Sequence, residues 1–137
     1  MSTENEGSKC TDSPWQDLVI AILAVNQYSL EKTYPLVTSL DKTGLFDPTV
    51  LQNLDCAQVE DRLRKGGCDR GSFMTALFSK RLAALGDFIR RQGLATCDQV
   101  LLSTDPGTIE ALLIGVYGIG PKVISNYLFL RGLKSTP

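Results

Sequence analysis

At 137 residues the chain is long enough for one domain with a real hydrophobic core. No apolar run approaches the roughly 18 residues that cross a bilayer, and the absence of histidine and of any C-x-x-C pair argues against a zinc site. The net charge of −1 hides an asymmetry: residues 1–59 carry three basic against eight acidic side chains, residues 60–137 eleven against seven, so the second half suits an anionic partner.

In chain order, residues 1–12 are polar and acidic. They read as a loose tail before a domain spanning 13–137, and as neither a signal nor a transit peptide. The expected location is inside the cell, cytoplasmic or nucleoid/nuclear, not secreted. Ser13-Pro14 gives an N-cap and a proline at the first helical position. The run from Trp15 to Val25 is apolar almost all round, which predicts a central buried helix. It ends in the polar pair Asn26-Gln27.

Ser29 can cap a second helix to Leu40, with Leu30, Tyr34, Val37 and Leu40 on one face; Pro35 inside it predicts a kink or break. Asp47-Pro48 opens a short helix to Asn53. Asp55 and Gln58 have capping-box spacing and start a helix to Lys65. Gly66 to Gly71 is a loop. A long helix follows from Ser72 to Arg91, with Phe78, Leu82, Leu85 and Ile89 as its buried stripe. Arg90 and Arg91 read as its solvated end. Cys97 to Ser103 predicts one or two further turns, and Asp105-Pro106 opens the next helix. No strand alternation is present. The expected fold is all-α, a compact bundle of six to eight helices. The four cysteines, Cys10, Cys56, Cys68 and Cys97, are too widely spaced for an iron–sulfur cluster and read as free thiols.

The most informative stretch is 109–131. Ile109, Leu112, Leu113 and Val116 give one amphipathic helix; Ile124, Tyr127, Leu128 and Arg131 repeat the spacing with one polar member. Gly118-Ile119-Gly120 joins them and Pro121 starts the second. The turn predicts free backbone N–H groups at a helix N-terminus, an anion site with Lys122 beside it.

These features resemble the helix-hairpin-helix/Gly-Pro-Asp superfamily of base-excision DNA glycosylases, which includes endonuclease III and the 8-oxoguanine glycosylases. The resemblance rests on Gly118-Ile119-Gly120-Pro121-Lys122, on the apolar helix ending in Asn26-Gln27, and on helix order between them. It covers roughly residues 13–134, the family's six-helix domain. It implies that the hairpin grips duplex DNA carrying a damaged base or abasic site, with a monovalent cation on the hairpin carbonyls. It also implies that Lys122 is the nucleophile attacking C1′, and that Asn26 or Gln27 fills the gap left by an extruded base. A helix N-terminus disfavours a second positive charge, which suits an amine that must be neutral to attack; pairing with a phosphate is the equal alternative for Lys122.

The chain departs from the family pattern. Family members carry an aspartate just after the second hairpin helix, whereas here no Asp or Glu follows Lys122. The family's C-terminal helices and its four-cysteine cluster loop are missing too. Three explanations compete: a fragment of a longer glycosylase, a minimal homologue that binds DNA without efficient chemistry, or a carboxylate from elsewhere, with Asp69 and Asp105 as candidates. Arg70, in the glycine loop, is a candidate phosphate ligand or a surface turn. Tyr28 reads as packing rather than a wedge, Trp15 and Tyr127 as core aromatics, and Cys68 as non-catalytic. The functional expectation is a DNA glycosylase/AP lyase. Its rivals are a non-catalytic DNA-binding module and, less well supported by the hairpin glycines, a helical protein-interaction domain.

Overall fold

The computed structural model describes residues 13–25 and 30–135. The tail 1–12, the Ser29 cap, and Asn26, Gln27 and Tyr28 lie outside the described residues. The fold is all-α, with no strand among the described residues. Its elements are α1 (Pro14–Leu23), α2 (Leu30–Thr33), a 3-10 turn (Tyr34–Leu36), α3 (Val37–Asp41), α4 (Pro48–Leu51), α5 (Cys56–Lys65), α6 (Ser72–Gln92), α7 (Leu94–Leu101), α8 (Pro106–Leu113) and α9 (Pro121–Leu130). The 3-10 turn is the break expected at Pro35, where the ring removes an N–H and crowds the preceding turn. No helix is long and apolar enough to cross a membrane among the described residues.

Local chemistry sets most boundaries. Ser13, Asp47, Asp55 and Asp105 each accept a hydrogen bond from an N–H in the first turn of α1, α4, α5 and α8, satisfying donors the helix cannot. Asp55 and Gln58 complete a reciprocal capping box at 2.8 and 2.9 Å. Pro14, Pro48, Pro106 and Pro121 open their helices. Several boundaries differ from expectation, among them the end of α4, at Leu51 instead of Asn53. α1 ends at Leu23 instead of Val25. α7 begins at Leu94, before Cys97, because Gly93 (φ +94°) turns the chain from α6 directly into it without a side-chain cap.

α1 is the centre. Every residue from Pro14 to Leu23 except Gln16 is buried, and α6, α7 and α9 pack around it. Trp15 Nε1 donates to Asp98 Oδ1 at 2.5 Å, tying α1 to α7. Tyr127 is fully buried and its hydroxyl donates to the Leu101 carbonyl at 2.8 Å, tying α9 to the end of α7. In α6, Phe78, Leu82, Leu85 and Ile89 are buried as expected. Gly86 lies against α4: a Cβ there would come within 2.5 Å of the Leu51 carbonyl oxygen, so the two helices touch through backbone.

The buried face of α9 differs from the expected Ile124, Tyr127, Leu128 and Arg131. It consists of Val123, Ile124, Asn126, Tyr127 and Leu130, because α9 packs on both α1 and α8 and presents a wider, rotated face. Leu128 is only half-buried. Arg131 follows the helix and donates to Asp17 Oδ2 at 2.9 Å, with Asp17 1 % exposed. α1 and α9 run antiparallel, since Asp17 near the start of α1 meets Arg131 while Ala21 and Ala24 near its end meet Asn126.

A carboxylate this deep is tolerable only while its cation is present. Arg131→Met is expected to lower unfolding stability by about 3 kcal/mol in urea titration, with Asp17→Leu/Arg131→Met recovering most of the loss. A loss from Arg131→Met alone below about 1 kcal/mol, the usual worth of a surface pair, would show that Asp17 does not depend on it.

Candidate nucleic-acid interface

The hairpin turn is built from its glycines. Gly115 donates to the Leu112 carbonyl, Val116 to Leu113 and Ile119 to Val116, at 3.0–3.2 Å, a tightened run of three-residue bonds past the end of α8. Gly118 sits at φ +84°, where a side chain would be strained. Val116 and Ile119 are buried (3 and 6 % exposed) and pin the turn from below. Ile119 therefore offers a ligand its backbone rather than its side chain. Tyr117 and Ile114 stand more than half exposed beside the turn.

Gly120 is the N-cap of α9 and carries no side-chain cap. The first N–H of the helix region to find an acceptor is that of Ile124, on the Gly120 carbonyl at 3.1 Å. Among the described residues the N–H groups of Gly118, Gly120, Lys122 and Val123 have no acceptor. A Cβ at Gly120 would meet nothing within 4 Å, so this backbone faces open space. The Lys122 side chain is exposed, and it makes no ion pair or hydrogen bond among the described residues. The turn thus combines unpaired donors, the positive end of a helix dipole and one cation within six residues.

Because α1 and α9 are antiparallel, the exit of α1 after Leu23 and the start of α9 near Lys122 share one end of the pair. The exit of α1 is bonded from two sides. Asn126 Nδ2 donates to the carbonyls of Ala24 at 3.1 Å and Ala21 at 3.4 Å. Arg70 donates to Leu23 at 3.1 Å and Val25 at 3.2 Å, and its guanidinium stacks 4.7 Å over the Phe78 ring. A cation at the C-terminal end of a helix is favoured by the dipole. The Arg70 guanidinium is thus engaged with α1 carbonyls. Asn26 and Gln27, immediately beyond that exit, lie outside the described residues. Asn126 is 1 % exposed and its Oδ1 has no partner among the described residues. Composition alone passes over Asn126; its signal is a single amide on the apolar face of α9.

Neither candidate carboxylate is free. Asp69 pairs with Arg64 at 2.8 Å and accepts from the Gly71 N–H at 3.2 Å. Asp105 accepts from the Thr108 hydroxyl at 2.6 Å, and that bond holds its carboxyl below the ordinary range, helped by the Gly107 N–H. Asp105 also caps the start of α8, which puts roughly 12 Å of helix between it and the hairpin. Cys68 is 3 % exposed; burial pushes its thiol up against the opposing charge of Arg70, away from nucleophilic chemistry. Among the described residues no cluster of three or more His, Cys, Asp or Glu side chains could hold a metal ion.

One residue near the turn carries no sequence signal. A Cβ on Gly118 would fall 2.5 Å from Arg81 Cγ, so the Arg81 stem of α6 lies across the glycine of the turn.

Removing the Arg70 guanidinium strands two carbonyls at the end of a buried helix. Arg70→Ala is expected to destabilise the protein by about 2 kcal/mol in urea titration. Arg70→Lys should not restore it, since an ammonium lacks the fork that spans both oxygens. An unchanged midpoint for Arg70→Ala would mean that the exit of α1 is held by Asn126 alone. No family model, curated protein or solved structure matches the chain.

Proposed function

We propose that the chain is a base-excision repair protein of the DNA glycosylase/AP lyase type, binding duplex DNA through the 118–123 turn. The observation that carries this reading is the set of N–H groups at Gly118, Gly120, Lys122 and Val123 without an acceptor, over an open Gly120, beside a lysine without an ion pair, all among the described residues. A phosphodiester supplies the acceptors these donors lack, and backbone contacts of this kind position a protein without reading sequence. The basic second half of the chain supports the same partner, and such a protein works where DNA is, in the cytoplasm, nucleoid or nucleus. The carbonyls of Tyr117, Gly118 and Ile119 accept no hydrogen bond among the described residues. They would hold the monovalent cation that the resemblance implies, oxygen ligands suiting such an ion, and it would supply positive charge next to the phosphate.

In the proposed chemistry the Lys122 Nζ lone pair forms a bond to C1′ of the damaged nucleotide. The glycosidic bond breaks and the base leaves with its electron pair and takes a proton. Loss of a proton from nitrogen and opening of the sugar ring give an imine; loss of a C2′ proton then expels the 3′ phosphate. The nucleotide must be turned out of the stack for the amine to reach C1′. Exposure of Lys122 at the first turn of α9, at the same end as the exit of α1, supports this role.

A second reading, a non-catalytic DNA-binding module, is favoured by the engagement of Asp69 and Asp105 as cap and ion-pair acceptors. Borohydride trapping on duplexes with an abasic or 8-oxoguanine site separates the two. The catalytic reading predicts a covalent adduct that Lys122→Ala abolishes. Absence of an adduct, or one that survives the substitution, would remove the lyase chemistry and leave the binding module.

A further inference from the structure

Six of the seven arginines bond an acceptor. Arg62 donates to the Thr43 carbonyl, Arg64 to Glu60 and Asp69, and Arg70 to Leu23 and Val25. Arg90 and Arg91 pair with Asp87, and Arg131 with Asp17. Arg81 makes no ion pair and no hydrogen bond among the described residues, although it is half-buried. A guanidinium stays charged at any working pH, so partial burial without an anion is unfavourable.

Two contacts fix where this charge sits. Its guanidinium lies 5.5 Å over the ring of Phe78, itself 1 % exposed, an arrangement that offsets part of the desolvation. Arg70 occupies the same ring at 4.7 Å, so a second cation shares that ring. The aliphatic stem then crosses Gly118, with Cγ, Cδ and Nε at 2.5, 2.9 and 3.2 Å from where a Cβ would stand. The absence of a side chain at 118 therefore serves two purposes: it permits the positive φ, and it lets Arg81 reach the hairpin.

We infer that Arg81 is a phosphate ligand of the hairpin site, its planar fork donating to non-bridging oxygens of the same DNA phosphodiester that the turn N–H groups would receive. This rests on the DNA-binding reading above. It adds to that reading a side chain from α6, about forty residues upstream of the hairpin, whose charge is held in place by Phe78 and by the turn itself. The contact is to the backbone and carries no base preference.

The test is fluorescence anisotropy of the full chain on a labelled, undamaged duplex between 50 and 200 mM KCl, comparing wild type, Arg81→Met and Arg81→Lys, with thermal melts as a folding control. Methionine keeps an unbranched stem over Gly118 and removes the charge. Arg81→Met is expected to bind about tenfold more weakly at all sequences and to lower the slope of log K against log salt by about one. Arg81→Lys should keep the slope while losing a few-fold of affinity, because the charge remains and the fork does not. Wild-type affinity and slope in Arg81→Met would overturn the assignment and leave the hairpin reading intact. If Arg81→Met does not fold, wild-type affinity in a folded Arg81→Lys overturns the assignment in the same way. A folded wild type that shows no salt-dependent binding overturns both the hairpin reading and this one.

Discussion

Burying α1 on nearly every side creates a requirement that the other helices must meet. Its apolar side chains need no help, but its last carbonyls cannot reach water and its one acidic residue cannot stay alone. The chain answers with Asn126 and Arg70 at the exit and Arg131 at Asp17. Two of these three come from α9 and the residue that ends it, so α9 is fixed along α1 at two points about a turn and a half apart. Tyr127 adds a third attachment, to the end of α7.

The hairpin inherits its rigidity from that fixation. α9 cannot slide without breaking the Asn126 bonds, and the turn before it is closed by its own short-range hydrogen bonds and anchored by Val116 and Ile119. The donors at its tip have no acceptor among the described residues and stand at defined positions, so an anion bound there would be received without reorganisation. Arg70 and Arg81 share the Phe78 ring, one turned to the exit of α1 and the other to the hairpin. A single buried aromatic of α6 thus connects the two regions singled out in the sequence.

What was legible follows from range. Caps and opening prolines act within four residues, so the starts of α1, α4, α5, α8 and α9 could be read directly. The kink at Pro35 and the glycine turn at 118–120 were equally local. α7 was misplaced because a glycine joins it to α6 with no side-chain cap to announce it. The face of α9 was rotated because periodicity in one helix does not say how many neighbours it has. The bonds of Arg70 were not readable at all, since its acceptors lie forty-five and forty-seven positions away. The placement of Arg81 was no more readable, since the glycine its stem crosses lies in the turn between α8 and α9.

In the proposed function the turn donors would receive a DNA phosphate. An amide-resolved NMR titration of the protein with a short undamaged duplex tests it most directly. The largest shifts are expected on the N–H groups of Gly118, Gly120, Lys122 and Val123, shrinking as salt rises. Large shifts elsewhere with these four amides unmoved would contradict it.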